Sequence, residues 1–438
     1  MKFKKTLLLL SLFPVVACSK KIDISDLDGA KLLRSPEDLS LKYDIFETFK
    51  DEPKQFKSKM VDYSSLIASS INKDVYKVSE NYCVSPLSIL NCLSLAFGIS
   101  TDKTKEEFEN SFNFSQEELY DNYPLFFKSM NHVWKSGYGE EGGRIDLYNS
   151  IWIDNDVKLK EEGLDILKNT FYSYAYNVNF GEEKTDKAIE NYIKKVSRGL
   201  LQPDLSFDAS TYFVLMNALY IKDLWNDESI DLTFTKDDYT FTNADKSTKN
   251  TKLLQGYYNV GKKIDNDYFE AFHTHTSMFS LYFIKPKENV SLKDVFIKEN
   301  IDTILNRGSY IIQDDELLER YYTKCIFPEF EVDSPKDFNL NKVIKEDLNL
   351  SNMYTSNNKM KKITDDEIFV TSVDHLAKLK VNKKGIEGAA VTYMATAGAV
   401  GPDEYKDVYL DFVVDKEFGF ILTYSGVPVF SGVVNYLK

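Results

Sequence analysis

The stretch Gly385-Ile386-Glu387-Gly388-Ala389-Ala390-Val391-Thr392-Tyr393-Met394-Ala395-Thr396-Ala397-Gly398-Ala399-Val400 decides how the whole chain is read. Eight of its sixteen residues are glycine or alanine, and its single charge is Glu387, in a chain that is 28% charged. Exposed loops are usually polar. The stretch lies between two strand-like segments, 375–381 and 408–414. A segment kept small, neutral and β-capable suits a strand that is exposed in one state and buried in another. Side chains alternate along a strand. Counting from Ile386, one face gathers Ile386, Gly388, Ala390, Thr392, Met394 and Thr396, none of them charged, and Glu387 falls on the other. Burying an unpaired charge is prohibitive, and this alternation avoids it.

Outward from this stretch the chain mixes helical and strand signals. A helical pattern runs over 54–71, and Ser85-Pro86-Leu87-Ser88 caps an apolar run over 89–97. Strand signals occupy 150–153, 212–221 and 278–284, and helical ones lie near 158–170, 186–198, 291–306 and 336–348. The end of the chain reads as strands over 408–414, 418–424 and 428–434, with Ser425-Gly426 as a turn. No internal repeat and no regular βαβ rhythm appears, so the pattern predicts one large α+β domain.

Composition narrows the function classes. With 43% hydrophobic residues the 438-residue chain is globular, and 19 glycines and 11 prolines exclude collagen-like and low-complexity classes. The net charge of −14 argues against a general nucleic-acid binder, which needs clustered cations. The N-terminus carries Lys2, Lys4 and Lys5, an apolar run over 7–16 too short to span a bilayer, and then Ala17-Cys18. Val15-Val16-Ala17-Cys18 resembles the lipobox of bacterial lipoproteins, which implies cleavage of residues 1–17 and lipidation of Cys18. Residues 18–50 then read as a lipidated tether, and 51–438 as the folded body.

Little else points to chemistry. Cys83, Cys92 and Cys325 are odd in number and lack metal or redox spacing, so they read as buried hydrophobes. His273 and His275 share a strand face without an acidic neighbour in sequence, and read as a surface pair; no metal and no cofactor is expected. Ser70-Ile71-Asn72-Lys73, Tyr120-Asp121-Asn122 and Lys135-Ser136-Gly137 mimic the ordered motifs of penicillin-recognising serine enzymes. The second and third are only thirteen residues apart, where those enzymes place much of a domain, and the third sits in a Gly-rich turn. A serine hydrolase built on Ser70 and Lys73 is the distant alternative.

Six blocks, in order from about residue 55 onward, resemble the serpin family. Asn81-Tyr82-Cys83-Val84-Ser85-Pro86-Leu87-Ser88 is similar to its N-x-x-x-S-P-x-S block. Asn217-Ala218-Leu219-Tyr220-Ile221-Lys222-Asp223-Leu224-Trp225 is similar to N-A-x-Y-F-K-G-x-W, with Ile221 and Asp223 in place of Phe and Gly. Phe327-Pro328-Glu329-Phe330, the stretch from Ser372 to Ala377, the hinge Lys384-Gly385-Ile386-Glu387-Gly388-Ala389-Ala390-Val391-Thr392 and the C-terminal segment 418–433 complete the set. Ile386 stands where inhibitors of the family usually carry Thr, and Gly388 replaces Ala.

The resemblance implies a single α+β domain with three β-sheets, about nine helices and an exposed reactive loop over about 385–407. It implies an inhibitor, not an enzyme. In the family's mechanism a protease cuts the loop, forms an acyl-enzyme, and is trapped as the cut loop enters the main sheet. The family's hinge-to-cut spacing places the reactive bond at Ala399–Val400 and the hinge at Gly385, Ile386, Glu387, Gly388, Ala389, Ala390, Val391 and Thr392. Ser85, Ser88, Asn217 and His375 correspond to the polar cluster where the sheet parts, with Trp225 at its top. Small residues before the cut suit elastase- or subtilisin-like serine proteases or papain-like cysteine proteases. A target protease and, through Cys18, a membrane at the bacterial cell surface are the expected partners, with a monomeric body and no nucleic acid. The nearer alternative is a serpin-fold binding protein that is cut only as a substrate.

Overall fold

The protein is described by a computed structural model over residues 22–37, 53–77, 79–135, 141–225, 232–306, 319–335, 339–355, 359–370, 373, 375–387 and 406–437. Cys18, residues 388–392 of the hinge, and Ala399 and Val400 lie outside the described residues.

Nine α-helices occur among the described residues: α1 (Lys54–Val75), α2 (Pro86–Ile99), α3 (Asp102–Phe112), α4 (Gln116–Ser129), α5 (Glu161–Asn169), α6 (Glu183–Val196), α7 (Leu292–Val295), α8 (Lys298–Asn306) and α9 (Leu340–Glu346). The start of α2 follows from its sequence. Ser85 Oγ accepts the Ser88 amide at 3.2 Å, and Pro86 fills the first helical position, where no amide hydrogen is needed. Every α2 residue but Cys92 is buried, as expected of a helix that is apolar nearly all round.

The main sheet has eight strands. Its order is β1 (Lys31–Arg34), β5 (Ser173–Val178), β4 (Glu141–Asp154), β6 (Phe213–Leu224), β17 (Gly385–Ile386), β16 (Lys378–Asn382) and β15 (Phe330–Asp333), with β3 (His132–Lys135) also bonded to β4. A six-stranded sheet runs β11 (Ile264–Asp265), β12 (Phe269–His275), β13 (Phe279–Pro286), β19 (Phe418–Tyr424), β20 (Val427–Val434) and β2 (Tyr82–Val84). A four-stranded sheet runs β18 (Lys406–Val413), β14 (Glu319–Phe327), β10 (Leu254–Val260) and β7 (Thr233–Phe234). A small ribbon pairs β8 (Tyr239–Thr242) with β9 (Thr248–Thr251). Ser425 and Gly426, both at positive φ, make the turn between β19 and β20.

β6 shows how the layers are built. Leu219 and Ile221 face the large core shared with α1 and α2. Val214, Met216 and Ala218 face the other way, into a second cluster under α6 with Trp152, Tyr176, Ile189 and Tyr192. The sheet is therefore covered on both faces along β4 and β6.

The segment read as a tether is in part built into the body. β1 pairs antiparallel with β5, Lys31 opposite Asn177 and Leu32 opposite Tyr176. Ile24 and Leu27, read as scattered apolar residues in a polar linker, are buried in the α6 cluster. Tyr176 OH donates to the Ile24 carbonyl at 2.8 Å, and Lys195 Nζ to that of Asp23 at 3.0 Å. Residues 23–34 thus form a strap that runs along α6 and returns beside the sheet edge. Ile24→Ala combined with Leu27→Ala should lower stability by about 2–4 kcal/mol, as core truncations do. The check is thermal and urea unfolding of the chain from residue 22 onward; unchanged transitions would mean that the strap is not part of the cooperative fold.

Candidate functional site: the seam of the main sheet

β17 is antiparallel both to β6 and to β16, so those two strands run in the same direction on either side of it. Ile386 is opposite Asp223 on one side and Val381 on the other; Gly385 is opposite Leu224 and Asn382. Among the described residues no ladder joins β6 directly to β16. The seam between them is filled at its top by two hinge residues and, among the described residues, by no strand below.

Gly385 is required here by close approach. A Cβ at this position would lie 2.1 Å from the Asp223 carbonyl oxygen and 2.9 Å from Leu224 Cα, both backbone atoms that cannot swing aside. Ile386 is fully buried on the core face, and the Glu387 amide donates to the Lys380 carbonyl at 2.8 Å. Glu387 itself lies near Tyr220 on the outer face. Burial and then the Glu387 charge push the Tyr220 phenol up to about 12. Arg144, Asp146 and Arg198 share that face: Arg144 Nε donates to Asp146 Oδ2 at 2.7 Å, and Arg198 Nη2 to the same oxygen at 3.1 Å.

Trp225 closes the top of the seam. Its indole Nε1 donates to the Asn382 carbonyl at 2.6 Å, and its ring packs on Phe327 with centroids 5.4 Å apart. One indole thereby ties the end of β6 to the turn between β16 and β17.

Lower down, the N-terminus of α2 bridges the two lips of the seam. Ser88 Oγ donates to the Asn217 carbonyl of β6 at 2.9 Å. The Ser85 amide donates to Nε2 of His375, on the segment that leads into β16, at 2.9 Å, and Ser85 Oγ donates to the Val429 carbonyl at 2.7 Å. The structure thus brings together Ser85, Ser88, Asn217 and His375. Accepting an amide hydrogen requires an unprotonated Nε2, and burial lowers the His375 pKa from 6.5 to about 4. Asn217 Nδ2 donates to Asn149 Oδ1 at 2.8 Å, extending the network into β4.

The residues of the hydrolase alternative do not assemble a reaction centre. Ser70 is buried in α1, Lys73 Nζ bonds Asp347 Oδ1 at 3.0 Å, and Tyr120 OH donates to the Gly98 carbonyl at 2.5 Å. Ser136 and Gly137 of the third motif lie outside the described residues. The reading of His273 and His275 as a surface pair needs correction. His275 is exposed, but His273 is buried, its ring 5.0 Å from that of Tyr282 directly across on β13. Cys83 and Cys325 are buried, and burial pushes both thiols up; it pushes the Cys92 thiol up to about 12. Sequence reading noted Asp223 only as a substitution. Its departure from glycine in the block was the signal that it occupies a special position.

A family model described as Serpin (serine protease inhibitor) matches residues 63–437. Serpin-ZX of Arabidopsis thaliana is 24% identical over 379 residues, covering 81% of this chain and 92% of the relative. Neuroserpin of Homo sapiens is 22% identical over 372 residues, covering 82% and 86%. Among solved structures, native Tengpin, a thermophilic serpin, superposes with a TM-score of 0.68 at 18% identity, covering 93% of this chain and all of that one. Serpin48 of the insect Tenebrio molitor gives 0.69 at 17% identity, with 89% and 100% covered. The chain belongs to the serpin family, a family of protease inhibitors, not enzymes, that also has non-inhibitory members.

Two substitutions test the seam. Gly385→Ala should expel the hinge from between β6 and β16 at a cost of about 1–3 kcal/mol. Amide exchange at 385–386 should then speed up by roughly tenfold; unchanged exchange would show that the hinge is not seated. His375→Ala leaves the Ser85 amide without its acceptor and should cost about 1–3 kcal/mol at pH 7. A histidine whose folded pKa is lowered stabilises the fold above its unfolded pKa and loses that contribution as pH falls through the folded one. Melting temperature should therefore fall more steeply in the wild type than in the variant between pH 6.5 and about 4. Parallel curves would exclude the assigned role.

Proposed function

We propose that this chain is an irreversible suicide-substrate inhibitor of serine or papain-like cysteine proteases, held at a bacterial cell surface by a lipid on Cys18. The observation that carries the inhibitory reading is the seated pair Gly385–Ile386, antiparallel to both neighbours in a seam that no other described strand fills. A strand continuing from Ile386 extends this two-residue ladder downward, each new backbone bond contributing about 1 kcal/mol net. The inward set of residues 386–396 carries no charge, so insertion buries no unpaired carboxylate or ammonium. Cleavage at Ala399–Val400 would free the loop to enter while the protease remains acylated to it. The small residues Ala397, Gly398 and Ala399 fit a shallow primary pocket, and no lysine or arginine occurs in 385–405 to attract a trypsin-like enzyme.

The lipid reading rests on the sequence around Cys18. The strap gives it a physical consequence. Asp23, whose carbonyl is held by Lys195, lies five positions beyond Cys18, and extended chain spans at most ~3.6 Å per residue. The anchor then lies within about 18 Å of Asp23, beside the C-terminal end of α6. The body is held close to the bilayer and not on a long leash.

Mixing the mature protein with an elastase-like protease should give a covalent complex that survives boiling in detergent. Clean cleavage of the chain without a complex would leave the substrate-only alternative standing. Ile386→Arg should convert trapping into turnover, because the guanidinium must enter the core on insertion; trapping at the wild-type rate would refute the register. Cys18→Ser should move the protein from membranes to the soluble fraction, and continued membrane association would overturn the lipid assignment.

A further inference from the structure

Asp223 is absorbed neither by the family pattern nor by the inhibitory reading. It follows Leu219 and Ile221 on the core face of β6 and is fully buried. Gly143 makes room for it: a Cβ there would lie 2.6 Å from Asp223 Oδ1 and 2.5 Å from Met278 Sδ. Asp223 Oδ2 accepts the Met278 amide at 2.7 Å, which ties β6 to the turn between β12 and β13. Oδ1 is buried and makes no hydrogen bond of good geometry, although the Thr276 hydroxyl and the Leu224 and Phe279 amides lie near the carboxylate. A half-satisfied carboxylate in a core is costly unless something offsets it.

What covers this carboxylate is the hinge. Ile386 is the cross-strand partner of Asp223, and directly opposed residues project to the same face of a sheet. The fully buried Ile386 side chain therefore closes the carboxylate off from solvent when the hinge is seated. Burial raises the Asp223 pKa from 3.8 to about 6, against the smaller pull of the Thr276 hydroxyl and the Met278, Leu224 and Phe279 amides.

The charged groups closest in register to Asp223 on the packed elements are Glu141, Arg144 and Asp146 on β4, Lys222 on β6, Lys383 and Lys384 in the β16–β17 turn, Glu387 past the hinge and His275 on β12. Arg144, Lys222 and Glu387 alternate onto the outer face, away from the Asp223 carboxylate, and Arg144 is engaged with Asp146. His275 is exposed, and its pKa is lowered by burial of part of the ring's surroundings.

We propose that Asp223 is a positioning residue that couples the seating of Ile386 between β6 and β16 to pH, acid favouring the seated hinge and neutral pH loosening it. Withdrawing Ile386 admits water to Oδ1 and makes the ionised carboxylate cheaper. The seated form therefore holds its proton more tightly, and seating takes a proton up. By linkage the seated fraction grows as pH falls through about 6 and shrinks as pH rises through it, by at most tenfold per pH unit. In the proposed inhibitor seating is the first step of insertion, so only the protease consequence of this coupling rests on that reading.

The test is amide exchange of the segment 380–387 in the mature wild-type protein from pH 5 to pH 7.5, corrected for intrinsic exchange, with emission of Trp225 as a second reporter. Protection should fall by roughly tenfold across this range. Asp223→Asn should flatten the profile and show, at pH 7.5, the protection the wild type has at pH 5; Asp223→Gly, which installs the family's residue, serves if the first variant does not fold. His275→Gln should keep the wild-type profile. A flat wild-type profile, an unaltered profile in Asp223→Asn, or a profile abolished by His275→Gln would each overturn the proposal. Exchange needs no protease. An Asp223-dependent profile in a chain that traps no protease would keep this inference and remove the inhibitory reading; trapping with a flat profile would do the reverse.

Discussion

Two strands that run in the same direction flank a seam that, among the described residues, Gly385 and Ile386 alone occupy. β6 and β16 are held at the right spacing for an antiparallel strand, and Gly385–Ile386 is the beginning of that strand. Everything else near the seam fixes its two lips in place. Trp225 staples the top across to Asn382, and the Ser85–Ser88 cap of α2 reaches Asn217 on one side and His375 on the other. A sheet whose centre is unfilled is held open or closed by such cross-links, because it lacks the ladder bonds that would otherwise do so. The decisive residues therefore sit at the seam and not in a pocket.

The legible parts of this arrangement were those set by local pattern. The helix after Ser85 is announced by a capping serine and a proline at the first position, and the last hairpin by Ser425-Gly426. Ile386 and Glu387 were separable onto two faces because strand periodicity is two. What escaped depends on partners distant in the chain. Ile24 and Leu27 look like stray apolar residues among acids, and their core is assembled from Trp152, Tyr176 and Tyr192. His273 and His275 share a face in sequence, but only His273 has Tyr282 across from it to cover the ring. Asp223 is buried because Gly143 leaves a hollow on one side and Ile386 forms a lid on the other, relations that no local window contains.

The outer face of the seam has its own logic. Arg144, Asp146, Arg198 and Tyr220 form a charged and aromatic group where β4 and β6 emerge from under α6. Glu387, the single acid of residues 385–400, projects toward this group and not into the core. A neutral residue at 387 would be tolerated by the core, since the core never meets it. Its charge matters for the outer face alone, where two of the chain's five arginines are gathered. The strap of residues 23–34 adds a further constraint, holding α6 against the sheet edge from which the outer face begins.

His375 and Asp223 titrate with opposite demands on the same seam, and the order of their pKa values matters. Above about 6 Asp223 is ionised, which favours release of the hinge, while neutral His375 keeps the lower clamp shut. Below about 4 the protonated imidazole no longer accepts the Ser85 amide, and the clamp opens. Between these limits the hinge is favoured in its seat while the clamp still holds. The depressed imidazole and the raised carboxyl both arise from burial, acting with opposite sign because one group is charged when protonated and the other when not. Desolvation, the largest cause at both groups, thereby separates the two titrations and sets their sequence.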